Sequence, residues 1–197
     1  MASPSTPERA PGEIRLAADA LVLLVGISAS GKSTFAGRHF QPIQVLSSDA
    51  LRAMVADDPN DQTATDAAFE LLHTAASLRL ARGRLTVVDA TNVERWARGR
   101  LQALARRHGR PTAAIVLHVP LEVALGRNLS RADRRLPASA IRRQASWLSA
   151  SLPTLPEEGV APVWVLTSAE EVDATRVTIE ARAPQRSTDE ASATSRT

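Results

Sequence analysis

The sequence has no cysteine and no tyrosine, and only three phenylalanines and three tryptophans. Without cysteine there are neither disulfides nor thiolate metal sites, a composition that suits a reducing cytoplasm. The four histidines, His39, His73, His108 and His118, show no metal-ligand spacing and read as structural or exposed. So few aromatic rings exclude a stacking platform for a long single strand; a nucleic acid would be held by its phosphates and at most one terminal base. Long apolar runs are missing as well. The strongest, residues 20–27, is too short to span a bilayer and reads as a buried strand, so no membrane association is expected. Scarcest of all is lysine: of the 24 basic residues only Lys32 is one.

That lysine lies inside Gly26-Ile27-Ser28-Ala29-Ser30-Gly31-Lys32-Ser33, followed by Thr34. The spacing is GxxxxGK[ST], the phosphate-binding P-loop. In it backbone N–H groups cradle nucleotide phosphates, the lysine reaches the β and γ phosphates, and the hydroxyl binds Mg²⁺. A compact ammonium reaches between two phosphates where a planar guanidinium fork does not, which explains a lysine in an arginine-rich chain. The apolar run 21–25 before the motif and Ser33-Thr34-Phe35-Ala36 after it supply the strand and helix that a P-loop needs.

A length of 197 residues suits one domain with a buried core. The expected division is a disordered arm over 1–13, a folded domain over 14–182 and a disordered tail over 183–197, because both ends lack apolar periodicity. The net charge of +3 conceals a division along the chain. Residues 79–143 hold fifteen arginines against four acids, whereas residues 45–78 hold six acids against Arg52 alone. A polyanionic partner is plausible for the basic half, although arginine also decorates solvated helix faces.

Short apolar runs at 21–25, 43–46, 85–88, 114–119 and 163–166 alternate with amphipathic stretches. The pattern predicts a doubly wound α/β fold with a mostly parallel five-stranded sheet and helices on both faces. Phe69, Leu72, Ala76 and Leu80 mark one helical stripe; Val93, Ala97, Leu101 and Leu104 mark a second, with Thr91-Asn92-Val93-Glu94 placed as its capping box. Pro120 opens a third helix, and Ile141, Ala145, Leu148 and Leu152 mark a fourth. Weak alternation at 175–179 suggests an edge strand.

In open α/β sheets ligands gather beyond the carboxyl ends of the strands. Three strands end there in anion-binding or reactive groups: the P-loop, Ser47-Ser48-Asp49, and Asp89-Ala90-Thr91-Asn92. Asp49 suits a general base that orients and deprotonates an alcohol, but Ser48 or Asp49 equally suits a helix cap. Arg52, one helical turn on, is placed to grip an acceptor phosphate or to pair with Asp49. Asp89 resembles the acid that holds Mg²⁺ or its water, and a backbone-bonding role fits as well. Arg127 and Arg131 share a face of the helix starting at Pro120, continued by Arg134; the ladder can close over phosphates or stay solvated.

Taken together, 26–34, Ser47-Ser48-Asp49 with Arg52, Asp57-Asp58-Pro59-Asn60-Asp61-Gln62, Thr86-Val87-Val88-Asp89-Ala90-Thr91-Asn92 and Arg127-Asn128 with Arg131 resemble the kinase domain of bacterial polynucleotide kinase-phosphatases, the end-healing enzymes of RNA repair. The resemblance spans about residues 20–166. It implies a P-loop kinase with an arginine-bearing lid that moves the γ-phosphate of ATP or another NTP to a 5'-hydroxyl end of RNA or DNA, with Mg²⁺. In that reading Lys32 and Ser33 contact phosphates and metal, Asp49 is the general base, Arg52 engages the acceptor, and Arg127 and Arg131 grip the nucleotide phosphates.

The chain also departs from the family. It has no room for the fused phosphatase and ligase domains of the larger enzymes, so it would act alone or with separate partners. Ala29 occupies a position usually held by glycine, which a negative φ permits, and Gly126 stands where an acid is common. Two other functions stay open: a kinase of a small hydroxylated metabolite or antibiotic, and a non-catalytic NTP-binding switch.

Overall fold

The computed structural model describes residues 8–9, 12–132 and 135–181. In chain order the first strands are β1 (Glu8–Arg9), β2 (Glu13–Ala17) and β3 (Leu21–Val25), followed by α1 (Lys32–His39). Next come β4 (Val45–Ser47), α2 (Ser48–Ala56), α3 (Thr65–Ala81), β5 (Thr86–Asp89) and α4 (Arg95–Arg107). The remainder is β6 (Thr112–Leu117), α5 (Leu121–Ser130), α6 (Ala138–Ser151), β7 (Val163–Leu166), α7 (Ala169–Ala174) and β8 (Arg176–Glu180).

The five expected strands form one parallel sheet, to which β1 adds two residues at an edge, in the order β1-β7-β6-β3-β5-β4. Every residue of β3, β5 and β6 is buried, because parallel crossovers cover both faces with helices. Buried Leu72, Ala76 and Leu80 of α3, Leu101 and Ala105 of α4, and Ile141 and Leu148 of α6 supply that cover. After β3 the chain crosses to the far edge at β4, returns through β5, and then places β6 on the other side of β3. The carboxyl end of β3 is therefore the topological switch point, and the P-loop begins there.

Several expectations change. The strand placed at 43–46 starts two residues later, and Ile43 sits exposed in a 3₁₀ turn. The weak strand at 175–179 forms as β8, but it pairs with β2 in a separate two-stranded parallel sheet rather than at the edge of the main one. The disordered arm expected over 1–13 is interrupted by Glu8–Arg9, paired with β7, and by Glu13, paired with Arg176. The tail over 183–197 lies outside the described residues, as does Arg134. Among the described residues no helix is long and apolar enough to cross a membrane.

Candidate functional site

The P-loop turns between β3 and α1, and its glycines are dictated by space. A Cβ on Gly26 would lie 2.8 Å from Ser30 Oγ and 2.9 Å from the Leu117 carbonyl, closer than real contacts allow. Gly31 caps α1 at a φ of 102°, a left-handed conformation open to glycine without strain. Ala29 corrects the expectation of a negative φ: its φ is 62°, so a side chain is held in the left-handed region. Ile27 is buried in the core, and Ser30 is fully buried with no partner for its hydroxyl.

Lys32 opens α1 and is buried, with Nζ donating to the Ile27 carbonyl at 2.8 Å. The next atom group along, the Ser28 N–H, donates to Gln144 Oε1 of α6 at 2.8 Å. Arg127 of α5 donates from Nη1 to the Ser30 carbonyl at 3.2 Å. Two helices distant in sequence thus reach the loop.

Asp49 sits in the first turn of α2, and the cap of that helix is Ser47, whose Oγ accepts the Ala50 N–H. Neither Ser48 nor Asp49 is the cap. Arg52 is buried and donates from Nη1 to Asp49 Oδ1 at 2.7 Å and to the Pro59 carbonyl at 2.7 Å. The bond to Pro59 gives the 57–62 segment a visible structural task. That segment is braced internally by Asp58 on the Asn60 N–H and by Asp61 on the Thr63 N–H and hydroxyl. These Thr63 bonds hold the Asp61 carboxyl below its ordinary pKa.

Asp89 ends β5 and is buried. The turn after it is not the capping box expected of Thr91 to Glu94. Glu94 is the N-cap residue and makes no side-chain cap bond, while Asn92 takes a φ of 48° and donates from Nδ2 to the Leu24 carbonyl at 2.8 Å. The Thr91 carbonyl accepts the Gly26 N–H at 3.0 Å, so this turn is tied to the start of the P-loop. Beneath it Arg98, fully buried, donates to the Asn92 carbonyl at 2.8 Å and makes a two-point bond with Glu158, at 2.9 and 2.6 Å.

The lid differs from the expected ladder. α5 ends at Ser130, and Arg131 is an extended C-cap residue that does not continue the helical face of Arg127. Leu129, in the last turn of α5, is exposed. Asn128 clasps the segment beyond, donating to the Leu136 carbonyl at 2.9 Å and accepting the Leu136 N–H at 3.0 Å.

These groups converge on one cavity of about 680 Å³. Ser28, Ala29, Gly31, Lys32, Ser33 and Thr34 line it on one side; Asp49, Arg52 and Gln62 on another; Asp89, Arg127, Arg131 and Gln144 between and above. Phe69 and Thr91 also line an adjoining cavity of about 560 Å³ between α3 and the start of α4. Among the described residues no three His, Cys, Asp or Glu side chains form a metal cluster. A sparse set of hard oxygen donors, the Ser33 hydroxyl and the Asp89 carboxylate, nevertheless fits Mg²⁺, which binds few protein ligands beside substrate phosphates and water. Gln144 escaped the sequence reading because it is a polar residue set between the apolar positions of an amphipathic helix and belongs to no local motif.

A parallel sheet with a P-loop at its switch point and helices bearing arginine over it defines the P-loop kinase fold, which implies a bound nucleotide. Residues 21–151 match the family model described as the AAA domain, and the chain belongs to that family. No curated protein matches the sequence. Among solved structures, a chain of the Pnkp1/Rnl/Hen1 RNA repair complex aligns at 22% identity with a TM-score of 0.57, covering 68% of this chain and 45% of that one. This protein thus spans less than half the length of that neighbour. A gluconokinase from Sinorhizobium meliloti 1021 aligns at 23% identity and a TM-score of 0.52, covering 80% and 90% respectively. Kti12 from Chaetomium thermophilum in complex with ADP-AlF3 aligns at 16% identity and a TM-score of 0.54, covering 78% and 93%.

Proposed function

We propose that the protein is an NTP-dependent kinase, with ATP as donor, that phosphorylates the 5'-hydroxyl end of RNA or DNA. The observation that carries the reading is the single cavity lined at once by the P-loop with Lys32, by the Asp49–Arg52 pair, and by Arg127 and Arg131. Phosphoryl transfer asks the protein for positioning and charge neutralisation, and this cavity offers both. The P-loop N–H groups and Lys32 hold the nucleotide phosphates. Asp49, oriented by Arg52, accepts the proton of the attacking hydroxyl, and Arg52 also faces an acceptor phosphate. Arg127 and Arg131 neutralise charge on the transferred group. Ser33 and Asp89 would hold Mg²⁺, which would supply positive charge to neutralise the phosphates. The excess of arginine over 79–143 and the resemblance of the motifs to end-healing kinases support a nucleic-acid acceptor, and the adjoining cavity gives the acceptor room. Separate phosphatase or ligase partners would complete repair of an end.

A second reading, a kinase of a small hydroxylated metabolite, is supported by one observation: the fold is similar to that of a gluconokinase over 80% of this chain. Transfer of label from γ-labelled ATP with Mg²⁺ to a 5'-hydroxyl oligonucleotide tests the first. Labelling that Lys32→Ala abolishes and Asp49→Ala lowers by about 10²- to 10⁴-fold, with ATP still bound by the latter, is the expected result. ATP binding without labelled oligonucleotide would overturn the polynucleotide reading and point to small alcohols. A nucleotide response that survives Asp49→Ala with no transfer to any acceptor would indicate a switch.

A further inference from the structure

One peptide unit of the P-loop is held at both of its polar ends by side chains. The Ile27 carbonyl accepts from Lys32 Nζ at 2.8 Å, and the Ser28 N–H of the same peptide donates to Gln144 Oε1 at 2.8 Å. The two bonds make one chain: Gln144 carbonyl oxygen, Ser28 N–H, Ile27 C=O, Lys32 ammonium. A peptide whose N–H is engaged is a better acceptor at its carbonyl, because successive hydrogen bonds polarise one another. The N–H also fixes the plane of the peptide, and thereby the direction in which the carbonyl meets the lysine.

Gln144 is presented firmly for such a task. It lies three residues after Ile141 and four before Leu148, both fully buried, so the side chain leaves α6 from the face that packs on the core. The far end of α6 is tied down by Ser151 Oγ donating to the Val93 carbonyl at 2.7 Å. A polar side chain on a core-facing stripe needs a partner, and this one reaches across 116 residues to find it in the P-loop. The acceptor at the Ser28 N–H must be an oxygen, which sets the orientation of the carboxamide.

We propose that Gln144 is a positioning residue for Lys32. It holds the Ile27–Ser28 peptide in the orientation that keeps the lysine ammonium at the mouth of the phosphate cradle. This rests on the donor half of the proposed function, nucleotide binding at the P-loop, and is independent of which alcohol accepts the phosphate.

The test is a double-mutant cycle read by calorimetric ATP binding, which needs no acceptor. Gln144→Leu removes the oxygen at similar size and is expected to weaken ATP binding about tenfold, the scale of a hydrogen bond that supports a charged group. Gln144→Glu keeps an oxygen for the Ser28 N–H and is expected to bind ATP more tightly than Gln144→Leu. In a Lys32→Ala background Gln144→Leu is expected to have no further effect, since the group it positions is gone. Equal loss in both Gln144 variants, or the same tenfold loss with and without Lys32, would overturn the proposal and leave Gln144 a packing residue. Unfolding midpoints of the four variants against the unsubstituted protein separate lost positioning from lost folding. Failure of the unsubstituted protein to bind ATP would overturn this proposal together with the donor half of the proposed function, whereas failure only to phosphorylate oligonucleotides would leave it standing.

Discussion

The two ends of the large cavity are built by different means. At the P-loop end, consecutive residues 26–34 shape the cradle from their own backbone, and space is so tight that a methyl group on Gly26 has nowhere to go. At the Asp49 end, side chains arrive from α2, from the 57–62 segment, from α3 and from the turn after β5, and none makes sense without the others. The first end depends on local conformation, the second on tertiary anchoring. A substitution that relieves or worsens backbone crowding should act at the first; one that strips a buried partner should act at the second.

The largest expected effect is therefore at the second end. Glu158→Ala leaves the Arg98 guanidinium fully buried without its carboxylate, beneath the Asn92 carbonyl it supports. Breaking a buried pair on one side costs about 3–5 kcal/mol. Thermal unfolding followed by circular dichroism should show a large drop in midpoint. Replacing both partners with apolar residues, Arg98→Met with Glu158→Leu, should recover most of it, because the desolvation of both charges is removed as well. An unchanged midpoint in Glu158→Ala would show that this end is not anchored as described.

Gly26→Ala is the matching change at the first end. Its Cβ would meet the Leu117 backbone carbonyl, which cannot turn aside as a flexible side chain can. The expected destabilisation is about 1–3 kcal/mol from forced backbone shifts, with nucleotide binding impaired because the loop moves. Stability and ATP affinity that both match the unsubstituted protein would show that the loop has slack.

The same contrast explains what was legible beforehand. β3, the P-loop and α1 could be read because their causes are contiguous: an apolar run, glycines at fixed spacing and a lysine in a chain otherwise stocked with arginine. β5 and β6 were legible for a similar reason, since fully buried parallel strands are continuous apolar runs, whereas β4, half-buried at the sheet edge, was placed two residues early. β2 was missed because Glu13, Ile14, Arg15 and Leu16 alternate in a segment whose partner among the described residues, β8, lies more than 160 residues away in sequence. The Thr91–Glu94 turn was misread because Asn92 bonds the Leu24 carbonyl across the sheet, a tertiary bond that displaced the local cap. Gln144 left no signal at all, because its meaning is a bond spanning 116 residues.

Ala29 sharpens the comparison in the opposite direction, since it is a local strain rather than a support. At a φ of 62° its Cβ costs about 1–2 kcal/mol. Glycine removes that strain but adds freedom to the unfolded chain. Ala29→Gly should accordingly raise stability by about 0.5–1 kcal/mol, visible as a higher unfolding midpoint. A lower midpoint would mean that the loop relaxes around the alanine without strain.

The smallest expected effect is a pH dependence carried by one histidine near each end. Burial, helped by Arg38, lowers the pKa of His39 on α1, where the ring lies 4.4 Å from that of Phe35 and its Nε2 is buried without a partner. Burial, helped by Arg100 and opposed by a hydrogen bond with the Phe69 backbone, lowers that of His73 on α3. In the unfolded chain both rings titrate near the ordinary value of about 6.5. As pH falls through that value the unfolded state gains protons before the folded state does, so folding stability declines, starting near pH 6.5 and levelling off only below the folded pKa values. Unfolding midpoints measured from pH 7.5 to 5 should fall for the unsubstituted protein and fall less for His39→Gln and for His73→Gln, each variant removing its own share. Because the two rings sit on separate helices, the flattening in the double variant should be the sum of the two. A slope that neither substitution changes would assign the acid sensitivity to carboxylates instead.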